Sequence, residues 1–281
     1  MVPTGPRSLA TLWCALLLTL SGSPRAEGIK VRIATEGAFA PWNATDPAGT
    51  LIGFEPDLAR DLCRRMRAQC DLVAQDWDGM IPALIAGRYD AIMAGMVITE
   101  ERRKAIAFAG PYANEPSVFA ARRDAPLAAL TLGRARVELG RLQPDDERLL
   151  SRLGEAMAGK TVGVQVSTIQ AVVLETHFPQ VTLRLYERLD AAALDLEAGR
   201  IDALFANRSA LNALTSGDLT LFGPSIAGGP LGVGVGVGVR HADVALKDRF
   251  DEAIAAATAD GTVSALSLRW FGHDVSVTAR P

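Results

Sequence analysis

Apolar residues along this chain follow two periods in turn: short continuous or alternating runs, then stretches where they recur every three or four positions. The first kind predicts strands at 31–35, 70–74 and 90–93, and the second predicts helices at 55–66 and 79–85. Thr99 stands where a hydroxyl can cap a further helix, with Glu100 and Glu101 in the first turn, where the helix dipole favours acids. Residues 122–159 break the rhythm with the polar run QPDDER and little β pattern. A second unit then repeats it, with strands at 161–165, 181–186 and 202–205 and helices at 168–176 and 191–198. A strand at 232–239 and helices at 243–259 and 263–270 follow. Alternating strands and helices predict an α/β fold with parallel sheet and crossover helices. Two such units predict two lobes with a cleft between them, where ligands bind.

The Gly-Val run at 232–239 contains GxG spacings. Its glycines alternate with a period of two and no helix begins directly after it, whereas a phosphate loop needs glycine at a strand-to-helix turn. It reads as a strand stripped of side chains on one face, so that another element approaches closely.

Upstream, Arg7 precedes an apolar run at 9–20, and small and turn residues lead to Ala26. The run is too short to span a bilayer, and the order of charge, apolar run and small residues is that of a secretory signal over residues 1–26. A buried core helix is the alternative, with nothing upstream to cover it. Pro24 is not ideal near such a cleavage point, and Cys14 lacks the small preceding residue of a lipoprotein signal. Export places Cys63 and Cys70 in an oxidising compartment, where the pair reads as a disulfide closing a short loop. Two buried free thiols are the other reading, and CxxC spacing is absent.

Composition narrows the function. A formal charge of −3 and a pI near 5.7 argue against a nucleic-acid binder. Charged residues at 22% with mixed signs argue against disorder. Three scattered His and no Cys/His cluster leave no recognisable metal site and no Ser-His-Asp arrangement.

The segments IATEGAFAPWN (33–43), GFEPDLARDLC (53–63), AQDWDGMIPALIAGRYDAIMAGMVITEERR (74–103), GRIDALFAN (199–207) and ADGTVSALSLRWFG (259–272) resemble, in order, the periplasmic solute-binding proteins of polar amino-acid ABC importers. GVQVST at 163–168, FGPSIAGG with the Gly/Val run after it, and the long segment before Gly159 resemble the octopine- and nopaline-binding branch. The position of the cysteine pair fits the family's disulfide. The resemblance implies a type II, two-lobed α/β fold with two hinge strands, closing on ligand by hinge motion. Lobe 1 would comprise 27–117 and 225–281, and lobe 2 would comprise 118–224. It further implies a periplasmic monomer that needs no cofactor or metal, takes a small-molecule ligand and passes it to an inner-membrane ABC permease.

By the same resemblance, Arg102 matches the arginine that clamps the ligand α-carboxylate, a bidentate geometry Lys does not reproduce. Its neighbours Arg103 and Lys104 read as solvated charges. Ala94, Gly95 and Val97 match the strand end that touches the ligand carboxylate and amino group. Family members often carry Ser at the latter two positions, so backbone groups are left to serve. Phe39 and Trp77 match aromatic positions flanking the ligand side chain, where flat faces suit a guanidinium or alkyl stem. Trp42 reads as packing. Glu36 matches an acid facing the ligand's distal end, and Val97 and Ser117 lie where the family tunes specificity. Gln165, Ser167, Thr168 and Gln170 match a loop entering a helix, whose N–H groups attract anions. Thr168 is expected both to cap that helix and to touch ligand.

Asn207 departs from the family, which usually has Asp there to pair with the α-ammonium. Glu36, Arg102 and a neutral Asn207 together suit an opine bearing one guanidinium and two carboxylates. Plain arginine is the alternative, because Asn can accept a hydrogen bond from an ammonium. The rival of another class is an enzyme resembling periplasmic cyclohexadienyl dehydratases, for which Glu36 is the only strong acid candidate.

Overall fold

The computed structural model describes Met1 and residues 29–132, 136–215 and 217–277. The signal segment at 1–26, with Cys14, lies outside the described residues apart from Met1.

Each predicted strand–helix unit builds a sheet. The first sheet has five strands in the order Gln69–Ala74, Lys30–Thr35, Ala91–Ile92, Val235–Val239 and Ala107–Ala113. The second has six, in the order Thr182–Tyr186, Thr161–Gln165, Ala203–Asn207, Ser117–Arg122, Leu219–Ala227 and Arg136–Glu138. Within each sheet the strands joined by crossover helices pair in parallel, as expected. Beside these parallel pairs, Val235–Val239 and Ser117–Arg122 pair antiparallel with both neighbours. These strands adjoin the two connections between the sheets, residues 114–116 and 228–234. No crossover helix precedes either strand, so nothing forces them parallel.

The Gly/Val run forms a shorter strand than its alternation predicted. It begins at Val235, because Gly232 and Gly234 take φ of 74° and 134° and a 3₁₀ turn occupies Gly229–Leu231. Within the strand, the close-approach reading holds: a Cβ on Gly236 would meet the Ala109 carbonyl oxygen at 2.6 Å, and one on Gly238 the Ile106 side chain at 3.0 Å.

The described residues of 122–159 hold more regular structure than the polar run suggested. They include the helix Pro144–Ala156, with Gln143 and Asp146 closing a capping box and Pro144 at the first turn. Leu149, Leu150 and Leu153 of this helix enter the core beneath the second sheet, beside Phe119, Val162 and Phe178. A small sheet of Ala38–Phe39, Asn43–Thr45 and Leu51–Ile52 also went unread, its strands being too short to show a period. Trp42 is fully buried there and packs on Phe54 and Phe271, as its packing role required. The Cys63–Cys70 disulfide is formed, tying the end of the helix Phe54–Met66 to the strand Gln69–Ala74. Among the described residues no helix is long and apolar enough to cross a membrane.

Candidate functional site

Four parallel strands end at one place. Glu36 follows Lys30–Thr35, Ala94 and Gly95 follow Ala91–Ile92, Gln165 ends Thr161–Gln165, and Asn207 ends Ala203–Asn207. Carboxyl ends of parallel strands are where open α/β sheets hold ligands. Here the ends from both sheets face a shared cavity. Glu36, Phe39, Trp77, Ala94, Gly95, Val97 and Arg102 line one side; Gln165, Thr168, Gln170 and Asn207 line the other. Ser117 and Ser167, also expected at the site, do not line it. Ile169 does, and was missed because an apolar residue at a helix start carries no chemical signal.

Arg102 projects from the short helix Glu100–Ala105, which Thr99 caps by accepting from the Arg102 N–H at 3.2 Å. Its guanidinium donates to the Val97 carbonyl at 2.9 Å and the Ser167 carbonyl at 3.4 Å, and stacks 5.1 Å from the Trp77 ring centre. Among the described residues no carboxylate comes within ion-pair distance of it. Desolvation alone lowers its pKa, to about 10, so it stays charged at neutral pH without a counterion. A partly buried, unpaired cation facing a cavity is a receptor for an anion. Arg103 and Lys104 are exposed, and Lys104 pairs with Glu101 at 2.6 Å.

Glu36 is buried and accepts from Gln165 Nε2 at 2.7 Å, a bond that joins the two sheets. Burial pushes its pKa up to about 7, although the Gln165 bond and the charge of Arg188 oppose the rise. Gln165 Nε2 also donates to the Glu187 carbonyl at 3.0 Å.

Gln170 bridges Asn207 Oδ1 at 3.0 Å and Ser117 Oγ at 3.1 Å, so Ser117 stands behind the wall and props it. Thr168 lines the cavity and also caps the helix Ile169–His177, accepting from the Ala171 N–H at 3.4 Å. Ser167, at φ 57°, turns its hydroxyl to Asp78 Oδ1 at 2.8 Å, outside the cavity and across the gap between the sheets.

Gly95 explains the missing serine. Its φ of 64° lies in the left-handed region, and a Cβ there would meet Phe39 Cε1 at 3.1 Å. Its N–H, however, is donated to Glu55 Oε1 at 2.6 Å, so the backbone donor expected from Gly95 is already used. The Val97 carbonyl is likewise taken by Arg102, while its N–H has no partner among the described residues.

Three comparisons bear on this geometry. The family model for bacterial extracellular solute-binding proteins, family 3, matches residues 31–273. The chain is 38% identical to an octopine-binding periplasmic protein of Rhizobium meliloti, over 95% of this chain and 99% of that protein. It is 34% identical to the histidine-binding periplasmic protein of Escherichia coli K12, over 87% and 88% of the two chains. Among solved structures, a His/Glu/Gln/Arg/opine family-binding protein from Silicibacter pomeroyi, in complex with lysine, superposes with a TM-score of 0.69 at 32% identity, covering 88% of this chain and all of that one. With two α/β sheets meeting at a polar cavity and a family match that runs through nearly all the described residues, this chain belongs to the bacterial extracellular solute-binding proteins of family 3.

Proposed function

We propose that this protein captures an amino-acid-derived solute between two lobes and delivers it to an ABC importer, and that the solute is an opine such as octopine or nopaline. The observation that carries the reading is Arg102, an uncompensated guanidinium stacked on Trp77 in the cavity. It supports a carboxylate-bearing ligand. Glu36, which also lines the cavity, supports a cationic group elsewhere on the ligand. Asn207 lacks the charge that would bind a primary ammonium, and Gln170 already occupies its side-chain oxygen. A second carboxylate is tolerated beside a neutral amide and repelled by an aspartate. L-Arginine, with its ammonium and single carboxylate, is the competing ligand.

In this reading residues 27–117 with 225–281 and residues 118–224 form the two lobes, with the boundaries shifted by a few residues because Ser117 and residues 225–227 pair in the second sheet. Closure by hinge motion at the two connections brings both onto the ligand, which favours the closed form through its contacts with each. Residues 1–26 act as the export signal, the mature chain works as a periplasmic monomer, and its macromolecular partner is the inner-membrane permease. The relatives named above are periplasmic binding proteins.

A second reading has one observation in its favour. A carboxyl pushed up to about 7 in a cavity, as at Glu36, is what a general acid for expelling water from a cyclohexadienyl substrate requires. Against it, Glu36 is the only carboxylate lining the cavity among the described residues.

Calorimetric titration of refolded, ligand-free protein with octopine, nopaline and L-arginine tests the proposal. Micromolar or tighter binding of an opine, with arginine much weaker, supports it. Tight arginine without opine binding sinks the opine assignment and leaves solute capture standing. Turnover of a cyclohexadienyl substrate, followed by absorbance, would replace capture with catalysis.

A further inference from the structure

Glu55 lies outside the cavity, fully buried at the start of the helix Phe54–Met66. Its carboxylate meets three donors and no cation. Asn43 Nδ2 donates to Oε2 at 2.7 Å, while the Gly95 N–H, at 2.6 Å, and the Tyr112 hydroxyl share Oε1. Asn43 in turn accepts from the Gly37 N–H through Oδ1 at 2.8 Å.

The network ends at the cavity wall. Gly95 lines the cavity, and Gly37 and Asn43 pin both sides of the turn that carries Phe39, another lining residue. Gly95 and Phe39 also press on each other, since a Cβ on Gly95 would sit 3.1 Å from the Phe39 ring. Tyr112 lies on the strand Ala107–Ala113, which leads directly into the connection at 114–116.

We propose that Glu55 is a positioning residue for ligand recognition: its carboxylate holds the Gly95 turn and the Phe39 loop in register, and so shapes the wall on which the ligand packs. The inference rests on the reading of the cavity as a ligand site. Every group facing the carboxylate is a donor, which matches an acceptor-only side chain. Burial raises the Glu55 pKa, and the three bonds oppose that rise.

The donor pattern makes a strict demand. Glutamine has nearly the same shape but carries one donor. Placed toward residue 43, its NH₂ meets the Asn43 NH₂; if Asn43 flips to relieve this, its own NH₂ meets the Gly37 N–H. Placed toward Gly95, the glutamine NH₂ meets the Gly95 N–H. Each arrangement sets one buried donor against another, and the donor left without an acceptor carries the cost. Changing Asn43 to Asp at the same time removes the conflict. Aspartate accepts from both Gly37 and the new glutamine, whose own oxygen serves Gly95 and Tyr112.

The experiment compares Glu55→Gln, Asn43→Asp and the double variant with the parent. Affinity for octopine and L-arginine is measured by calorimetry well below each melting temperature, with Tm recorded in parallel. Each single variant is expected to bind about tenfold more weakly, the effect of one mismatched buried polar group. The double variant is expected to return to within about threefold of the parent. Parent-like affinity in Glu55→Gln, with only its Tm lowered, would confine Glu55 to stability and overturn the proposal. A double variant no tighter than the weaker single would overturn it as well. If Glu55→Gln does not fold, Tyr112→Phe removes one donor and should weaken binding about threefold; unchanged affinity there overturns the proposal. If the parent binds neither ligand, the reading of the site fails and the inference falls with it.

Discussion

Arg102 and Glu36 both line the cavity, and burial works against the charge of each. Arg102 stays ionised without a counterion, so a ligand carboxylate gains two charge-assisted bonds there. Arg102→Lys keeps the charge and loses the planar fork; it is expected to weaken opine or arginine binding about 10- to 100-fold by calorimetry, with Tm nearly unchanged. Glu36 holds its proton up to about 7 in the folded, ligand-free protein, against 4.5 ordinarily. Between those values the unfolded chain binds fewer protons than the folded one, so stability falls as pH rises through that window and levels off above it. A ligand guanidinium favours the ionised carboxylate, so its affinity should rise over the same window. Glu36→Gln should flatten both profiles, the first measured by denaturant titration and the second by calorimetry across pH. If the affinity profile of Glu36→Gln keeps the parent's slope, the titrating group lies elsewhere.

Elements here are set by local chemistry and then trimmed by their neighbours. The helices Phe54–Met66 and Ile169–His177 lie within a residue or two of where apolar spacing and caps put them. The strand Val235–Val239 kept its period of two and lost its first residues to glycines that turn the chain. Its stripped face is a packing requirement that a substitution can test. Gly236→Ala drives a Cβ into a backbone oxygen and is expected to cost about 1–3 kcal/mol. Gly238→Ala presses most closely on the far end of the Ile106 side chain, at 3.0 Å, rather than on a backbone atom, and should cost less. Denaturant midpoints compare the two, and equal costs would refute the close-approach account. The helix Pro144–Ala156 escaped the sequence reading although its signals are present: proline and acids in the first turn, then Leu149, Leu150 and Leu153 on one face. The polar run that hid it is the helix's own capped N-terminus.

Across the molecule, hydrogen bonds already join the two units over the cleft: Glu36 with Gln165, Asp78 with Ser167, and Arg102 with the Ser167 carbonyl. Such bonds exist only while the lobes are together, so they add to the closed form whatever ligand contacts contribute. Asp78→Ala removes the second bond without altering a cavity-lining residue. It should weaken ligand binding about threefold, mainly through faster release in stopped-flow traces. An unchanged dissociation rate would show that this contact does not hold the cleft shut. Ser167 was expected to touch ligand; its left-handed backbone turns the hydroxyl to Asp78 instead. Asp78 carried no signal, because either acid in AQDWDG reads as loop.

Much was legible in the order of residues: the α/β alternation, the cap at Thr168, the cysteine pair, and, through motif resemblance, eleven of the residues that line the cavity. Periods, caps and motifs are local, and they survive in a linear chain. Three things are not local. The Gly95 N–H is spent on Glu55, 40 residues away; Gln165 faces Glu36 across 129 residues; and Ser117 stands behind Gln170 rather than at the wall. The second depends on how the two connections at 114–116 and 228–234 bring one sheet against the other, the first and third are tertiary contacts within one unit each, and no period along the chain encodes any of them. The sequence therefore names the groups available for binding, while the packing of the two sheets selects which of their atoms remain free to meet a ligand.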